Sequence, residues 1–378
     1  MKVLILAAKE KGNRHNRWIG PLKAVSGITG KSILKSRLYI PFFFRAFWET
    51  YRFKPHIIMS IGPDLLGIIS ILINKLISHR AVIVSLGGDP ITVRLDLLAT
   101  MSKRQIANRY KQKLLCYLNL HFVFKNCRYF MVNSHYLRNQ LLRNYHHFKN
   151  KDIYVIPQPM PVITASRPKV KWNDNTYIRL LTVTNLAYRA KYYGVLELVD
   201  FLQKYAGQDK LNYRLVFDIY GGGNLENHLR KKLEPKAGIG DKLSIRFHGF
   251  VEHLQSIYKI AHVFLYSSNI DSLPRVLLEA QAAGLPILVN DFEPFREIVR
   301  NGYNGLLYKS GDFDDFQAKL HILVTNPRLR HSLGKHSLEN LKSNYSFNAI
   351  GAKLESSFSK VLFPNRKDGE ALQSSSCS

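Results

Sequence analysis

Asp271 and Glu279 occupy "DSLPRVLLEAQAAGLPILVND" in positions where a carboxylate calls for a chemical reason. Around Glu279, residues Val276, Leu277, Leu278, Ala280 and Ala283 leave a helix almost no polar face, so the carboxylate must be paired or hydrogen-bonded. Arg275, one turn earlier, can pair with it, although with the cation first this i,i+4 order is the weaker one. The alternative is hydroxyl recognition, with Glu279 gripping one ring and Asp271 another. The helix from Pro274 to Glu279 rises roughly 7–8 Å, enough to lay an anion between them against unpaired amides at the helix start. Ser272 is a plausible N-cap, Pro274 suits the first turn, and Gly284 followed by Pro286 ends the helix.

Two other segments have matching chemistry. In "NLAYRAKYYG", Arg189 and Lys191 follow a strand-like run, where the helix dipole disfavours cations unless an anion is to be neutralised. In "IYGGGNLENHLRKKL", Gly221, Gly222 and Gly223 join a strand to a helix, which suits either a tight turn or close backbone approach to a phosphate or sugar. Carboxylates bracketing a diphosphate, with Leu273, Pro274 and Arg275 beside it, suit a nucleotide-sugar. "GDFDDF" contains Asp312 and Asp314 at a metal-like spacing, but it follows a strand-like run and opens a helix, where aspartates cap. No metal and no cofactor is expected.

These residues need a frame of strands with their carboxyl ends aligned. Short apolar runs recur, each followed by a helix-length segment: "KVLILAA", "PHIIMSIG", "AVIVSLG", "YFMVNS" and "DIYVIPQP", then "YIRLLTVTN", "LVFDIYG", "LSIRFHG", "AHVFLYSS" and "PILVND". Runs without alternation suit strands buried on both faces, and alternation with helices implies parallel sheets. Two such series in 378 residues predict an α/β chain of two doubly wound domains. The Pro-rich stretch 157–175 reads as the linker. The expected boundaries are 1–160 and 161–345, then a closing helix over 346–362 and a disordered polar tail over 363–378.

Apolar residues make up 46% of the chain, which excludes general disorder. Cys116, Cys127 and Cys377 have no metal-ligand spacing and an odd count, which suggests a reducing compartment. The opening apolar run is too short for a signal peptide, and Gly62, Pro63 and Asp64 interrupt the longest run, 57–73, so it reads as strand, turn and helix. The formal charge is +28, and residues 1–160 carry about +20 of it. Such a basic half needs an anionic partner. In "KSILKSRLYIPFFFRAFWETYRFK", residues 31–54, cations alternate with aromatics, as in a helix resting on anionic lipid. "MSKRQIANRYKQK", residues 101–113, extends that patch or holds an anionic acceptor. No helix-turn-helix, zinc-ligand or RNA-binding motif accompanies the charge, so nucleic acid is not the expected partner.

The stretch from Asp271 to Glu279 resembles the acidic-x7-acidic motif of retaining glycosyltransferase family 4, whose members have the GT-B fold. The family usually has Glu first, where this chain has Asp271. The resemblance continues through "FDIYGGGNLENHLRKKL", "IRFHGFVEHLQSIYKIAHVFLYSS" and "REIVRNGYNGLLYKSGDFDDFQAKLHIL". It spans about 175–362, more weakly 55–160, and implies two Rossmann-like domains facing across a cleft. It places the nucleotide base against Phe250 and Val251, and the acceptor near Gly87, Gly88 and Asp89. Two positions depart from the pattern. The usual Gly-Arg-Leu reads Thr184-Asn185-Leu186, and Leu86 replaces a common histidine or arginine.

The resemblance implies transfer of a hexosyl group, with retention, from a nucleotide-sugar to a lipid-linked or saccharide acceptor in glycolipid or polysaccharide assembly. Front-face attack, with the departing phosphate accepting the acceptor's proton, requires no protein base. Lys191, Asp271 and Glu279 are the expected catalytic and donor-holding residues, and the expected place is the cytoplasmic side, peripheral to an anionic membrane. Two alternatives are a nucleotide-sugar epimerase on the same fold and a basic, non-catalytic scaffold binding nucleic acid or membrane.

Overall fold

The computed structural model describes residues 1–8, 16–25, 27–35, 39–77, 80–101, 106–161, 177–208, 213–234 and 242–364. Most of the linker stretch and all but the first two residues of the tail lie outside the described residues.

The first sheet is built from β1 (Lys2–Ala8), β2 (Thr29–Lys35), β3 (Ile57–Ile61), β4 (Ala81–Leu86), β5 (Tyr129–Val132) and β6 (Asp152–Val155). Its helices are α1 (Asn16–Lys23), α2 (Tyr39–Phe53), α3 (Leu65–Ile77), α4 (Pro90–Thr100), α5 (Ile106–Leu118), the short α6 (Phe124–Asn126) and α7 (His135–Asn144). A π-helical turn, Asn119–Val123, joins α5 to α6. The strands run parallel in the order β2-β1-β3-β4-β5-β6.

The second sheet holds β7 (Tyr177–Asn185), β8 (Arg214–Gly222), β9 (Leu243–Gly249), β10 (Val263–Tyr266), β11 (Ile287–Asn290) and β12 (Gly305–Tyr308). Helices α8 (Arg189–Ala206), α9 (Glu226–Leu233), α10 (Gln255–Ile260), α11 (Arg275–Ala282), α12 (Phe313–Thr325), α13 (Pro327–Tyr345) and α14 (Phe347–Leu362) accompany it. Its order is β12-β11-β10-β7-β8-β9, again all parallel.

Both sheets are buried on two faces, which is why their strands read as continuous apolar runs. Residues 31–54 are not one helix. Thr29–Lys35 forms the edge strand β2, with Ile33 its buried residue, and the helix begins at Tyr39. The chain crosses back at its end. Ile350, Leu354, Phe358 and Val361 on one stripe of α14 join Val3, Ile5, Trp18 and Met59 in a core beneath the first sheet. Burying such side chains contributes roughly 1.5–3 kcal/mol each, so α14 ties the two sheets into one molecule.

Among the described residues, side-chain hydrogen bonds also join the domains. Glu297 accepts hydrogen bonds from the amides of His135 (2.9 Å) and Tyr136 (2.7 Å) at the start of α7. Asp96 on α4 accepts from the Arg189 amide at 3.1 Å. The Ser272 hydroxyl lies 3.0 Å from the Gly87 carbonyl and 3.2 Å from Asn133 Oδ1, donating to one at a time.

Candidate active site

In the second sheet the chain runs outward from β7 through β8 to β9, then returns to place β10 on β7's other side. A crevice therefore opens between the carboxyl ends of β7 and β10, the usual ligand position in a doubly wound sheet. Lys191 follows β7 and Asp271 follows β10, and they meet there: Lys191 Nζ is 2.6 Å from Asp271 Oδ1. Both side chains are largely shielded from solvent, at 14% and 13% exposure.

Asp271 is also held from within the domain. The Tyr266 hydroxyl, at the end of β10, donates to its Oδ2 at 2.6 Å. Glu279 is held the same way, because the Tyr258 hydroxyl on α10 donates to its Oε2 at 3.1 Å. Burial, and then the adjacent carboxylate, push both tyrosines well above the usual phenol range, so they act as hydrogen donors at any working pH. Arg275 does pair with Glu279, at 3.4 Å, and both side chains remain about a third exposed. Glu279 thus keeps exposed surface while engaged by two partners.

Ser272 does not cap α11. Pro274 is the N-cap and offers no side-chain acceptor. Ser272 is buried and turned to the other domain instead, because Gly87 and Asn133 lie within reach. Leu273 is buried in the core beneath.

The glycine turn is fixed by packing. A Cβ on Gly221 would lie 2.1 Å from the Thr184 carbonyl oxygen, and one on Gly223 would lie 2.3 Å from the Ala187 amide nitrogen. Gly221 and Gly223 also sit at φ +154° and +150°, where side chains are rare. The turn after β8 is thereby pressed onto Thr184–Ala187, and Asn185 folds back so that its Oδ1 accepts from the Ala187 amide at 3.0 Å. Phe250, beyond β9, is 72% exposed beside Gly222, and Val251 is partly exposed.

Arg189 stands apart from the carboxylates: its guanidinium is exposed and rests on Tyr193, 3.4 Å from that hydroxyl. Gly87 and Gly88 line the rim of the first domain, whereas Asp89 is 3% exposed and consumed by structure. It caps α4 through the amides of Ile91 and Thr92 and accepts from the Thr92 and Tyr145 hydroxyls. Leu86 is 1% exposed in the core, so that strand position sends nothing into the cleft. Asp312 caps α12 by accepting from the Asp315 amide at 3.0 Å.

One carboxylate near the site escaped the sequence reading. Glu197 on α8 accepts from the Ser267 hydroxyl, from the Gly311 amide at 3.0 Å and from the Tyr308 hydroxyl at 3.4 Å. It braces the ends of β10 and β12. A carboxylate on the buried side of α8 was its available signal.

Residues 163–339 match the family described as glycosyl transferases group 1. EpsD of Bacillus subtilis, provisionally named a glycosyltransferase, is 34% identical over 122 residues, covering 32% of this chain and 31% of its own. A galactosyltransferase of Escherichia coli, named for UDP-Gal and α-D-GlcNAc-diphosphoundecaprenol, is 27% identical over 143 residues, 38% of this chain and 36% of its own. The chain thus spans about a third of the length of these two curated relatives. Among solved structures, Anabaena HepE in complex with UDP superposes with a TM-score of 0.67 at 12% identity, over 95% of this chain and all of HepE. The fold is GT-B. At that identity the likeness concerns architecture alone.

Proposed function

We propose that this GT-B protein is a retaining glycosyltransferase that moves a hexosyl group from a nucleotide-sugar to a lipid-linked or saccharide acceptor. The observation that carries the reading is the Lys191–Asp271 pair at the switch point, beside the start of α11. A diphosphate entering there draws Lys191 from Asp271 and takes the first amides of α11. Asp271, still held by Tyr266, is then free to accept from sugar hydroxyls, and Glu279 from those of the ribose. Charge on the departing diphosphate is offset by a fixed cation and a fixed dipole, with no proton transfer to a side chain. HepE has been solved with UDP and with UDP-glucose, which supports a nucleotide diphosphate as the leaving group.

The acceptor enters from the side of Gly87 and Gly88, where the first domain contributes exposed backbone. The E. coli relative's undecaprenol-linked substrate supports a lipid-linked acceptor, and the basic first domain supports work at the cytoplasmic face of an anionic membrane. No helix among the described residues is long and apolar enough to cross a membrane.

A panel of nucleotide-sugars, with and without lipid and saccharide acceptors, tests the reading, using NMR of the product's anomeric configuration. Transfer with retention, and loss of donor binding in a folded Glu279→Ala variant, are the expected results. Donor conversion without acceptor would point to an epimerase, and no donor binding at all to a scaffold.

A further inference from the structure

The helical layers on the two sides of the first sheet differ in what they show to solvent. On one side α14 closes over the sheet beside α1. On the other, α3 packs between α2 and the π-turn that continues α5, and α5 itself packs on α4, so the π-turn links α5 to the α2–α3 pair. Their outer faces are apolar and aromatic. Ile40, Phe44, Trp48 and Tyr51 recur at helical spacing along α2 and are 60–74% exposed. Leu76 on α3, and Tyr110, Leu114 and Tyr117 on α5, are 57–70% exposed.

The exposed charges on these three helices are basic. Arg45, Arg52, Lys75, Lys111 and Lys113 are exposed among the rings. The acidic residues between Tyr39 and Arg128 are Glu49, Asp64, Asp89 and Asp96, and each is engaged. Glu49 pairs with Lys31 at 2.5 Å, Asp64 with Arg94, Asp89 caps α4, and Asp96 takes the Arg189 amide.

We propose that α2, α3 and α5 together seat the protein on an anionic bilayer. This deepens the membrane part of the function proposed above and rests on it. Charge selects the occupant. A second copy would bring the same positive field against this one. Single-stranded nucleic acid would use the rings but leave Ile40, Leu76 and Leu114 without a partner. An interface of anionic headgroups serves both features: Trp48 and the tyrosines lie at headgroup depth, the aliphatics reach the acyl boundary, and Lys and Arg meet phosphates. Each basic residue held near such a surface raises partitioning about five-fold. Crossover helices start where strands end, so the starts of α2 and α3 lie toward the cleft, as does the end of α5, where Asn119 donates to Asp64 at 3.2 Å, and an acceptor anchored in the same bilayer arrives at the Gly87 side.

The test is flotation of the full chain with vesicles of phosphatidylcholine, alone or mixed with phosphatidylglycerol, at low and high salt. Wild type should float with the anionic vesicles and be released by salt. Phe44→Ser/Trp48→Ser on α2 and Tyr110→Ser/Tyr117→Ser on α5 should each lower the bound fraction about ten-fold, with circular dichroism and UDP or GDP binding unchanged. An α5 variant that floats like wild type would overturn the three-helix seat in favour of a single-helix anchor. Equal flotation with neutral vesicles, or a wild-type dimer that either variant turns into a monomer, would overturn the choice of occupant. Flotation does not depend on transfer, so a missing glycosyltransferase activity would leave this result readable.

Discussion

At the strand ends of the second domain, side chains face one another: Lys191 from the end of β7, Asp271 from the end of β10, and buried tyrosines behind both carboxylates. At the matching ends of β4 and β5 in the first domain the polar groups are already used. Asp89 caps a helix, Asn133 Nδ2 donates to the Gly87 carbonyl at 2.9 Å, and Leu86 is in the core. Under the proposed function, two sheets of one architecture divide the work, with charge chemistry in the second and shape and surface in the first. Substitutions in the second domain should accordingly alter function with the fold intact, and those in the first should alter stability or placement.

The largest effect is expected at Lys191. Lys191→Ala removes the cation proposed to face the leaving diphosphate, and removal of one such electrostatic stabiliser costs about 10²–10³ in rate. Steady-state kinetics should show the loss mainly in kcat, and Lys191→Arg should recover part of it. A loss confined to KM would mean that Lys191 serves binding alone and would weaken the division between the domains.

Next comes the support beneath Glu279. Tyr258→Phe removes one hydrogen bond to a carboxylate, a contact worth about 1.5–3 kcal/mol when charged. Donor affinity should fall roughly ten-fold or more. An unchanged donor Kd, measured by calorimetry, would reduce Tyr258 to core packing. The same test at Tyr266 reports on Asp271.

What was legible in the sequence follows the same divide. Buried parallel strands announce themselves as unbroken apolar runs, and the carboxylates and Lys191 stood out because charge is costly there. Edge strand β2 was hidden, since Thr29–Lys35 is half polar and merges into an aromatic helix. Ser272 has the residue type of a cap, but its partners, Gly87 and Asn133, are far away in sequence and become visible only when the domains meet. Tyr258 and Tyr266 read as ordinary core aromatics, because a phenol's hydrogen bond leaves no periodic trace. The glycine turn fitted two readings, and only the approach to Thr184 and Ala187 shows that packing requires it.

In the first domain the corresponding carboxylate should behave differently. Asp89→Ala removes the N-cap of α4 and a partner of the Tyr145 hydroxyl. Loss of such a cap costs about 0.5–2 kcal/mol, to be read as a lowered midpoint of thermal or urea unfolding. Donor affinity should not change. A selective loss of transfer with normal stability would instead assign Asp89 to the acceptor and erase the contrast between the domains.

The smallest effect is expected where the domains hold each other. Three amides at the start of α7 need acceptors: Ser134 Oγ takes that of Leu137 at 3.1 Å, and Glu297 from the second domain takes those of His135 and Tyr136. A carboxylate at a helix N-terminus also gains from the helix dipole, for about 0.3–1 kcal/mol when part-exposed. Glu297→Gln keeps one acceptor oxygen and removes the charge, so each domain should retain its core. The expected outcome is a loss of about 0.5–1 kcal/mol that is confined to the coupling between the domains. Hydrogen exchange should therefore quicken at His135 and Tyr136 and stay unchanged at β10 and β11. Uniformly faster exchange through the second domain would show instead that Glu297 stabilises its own domain, with α7 merely resting on it.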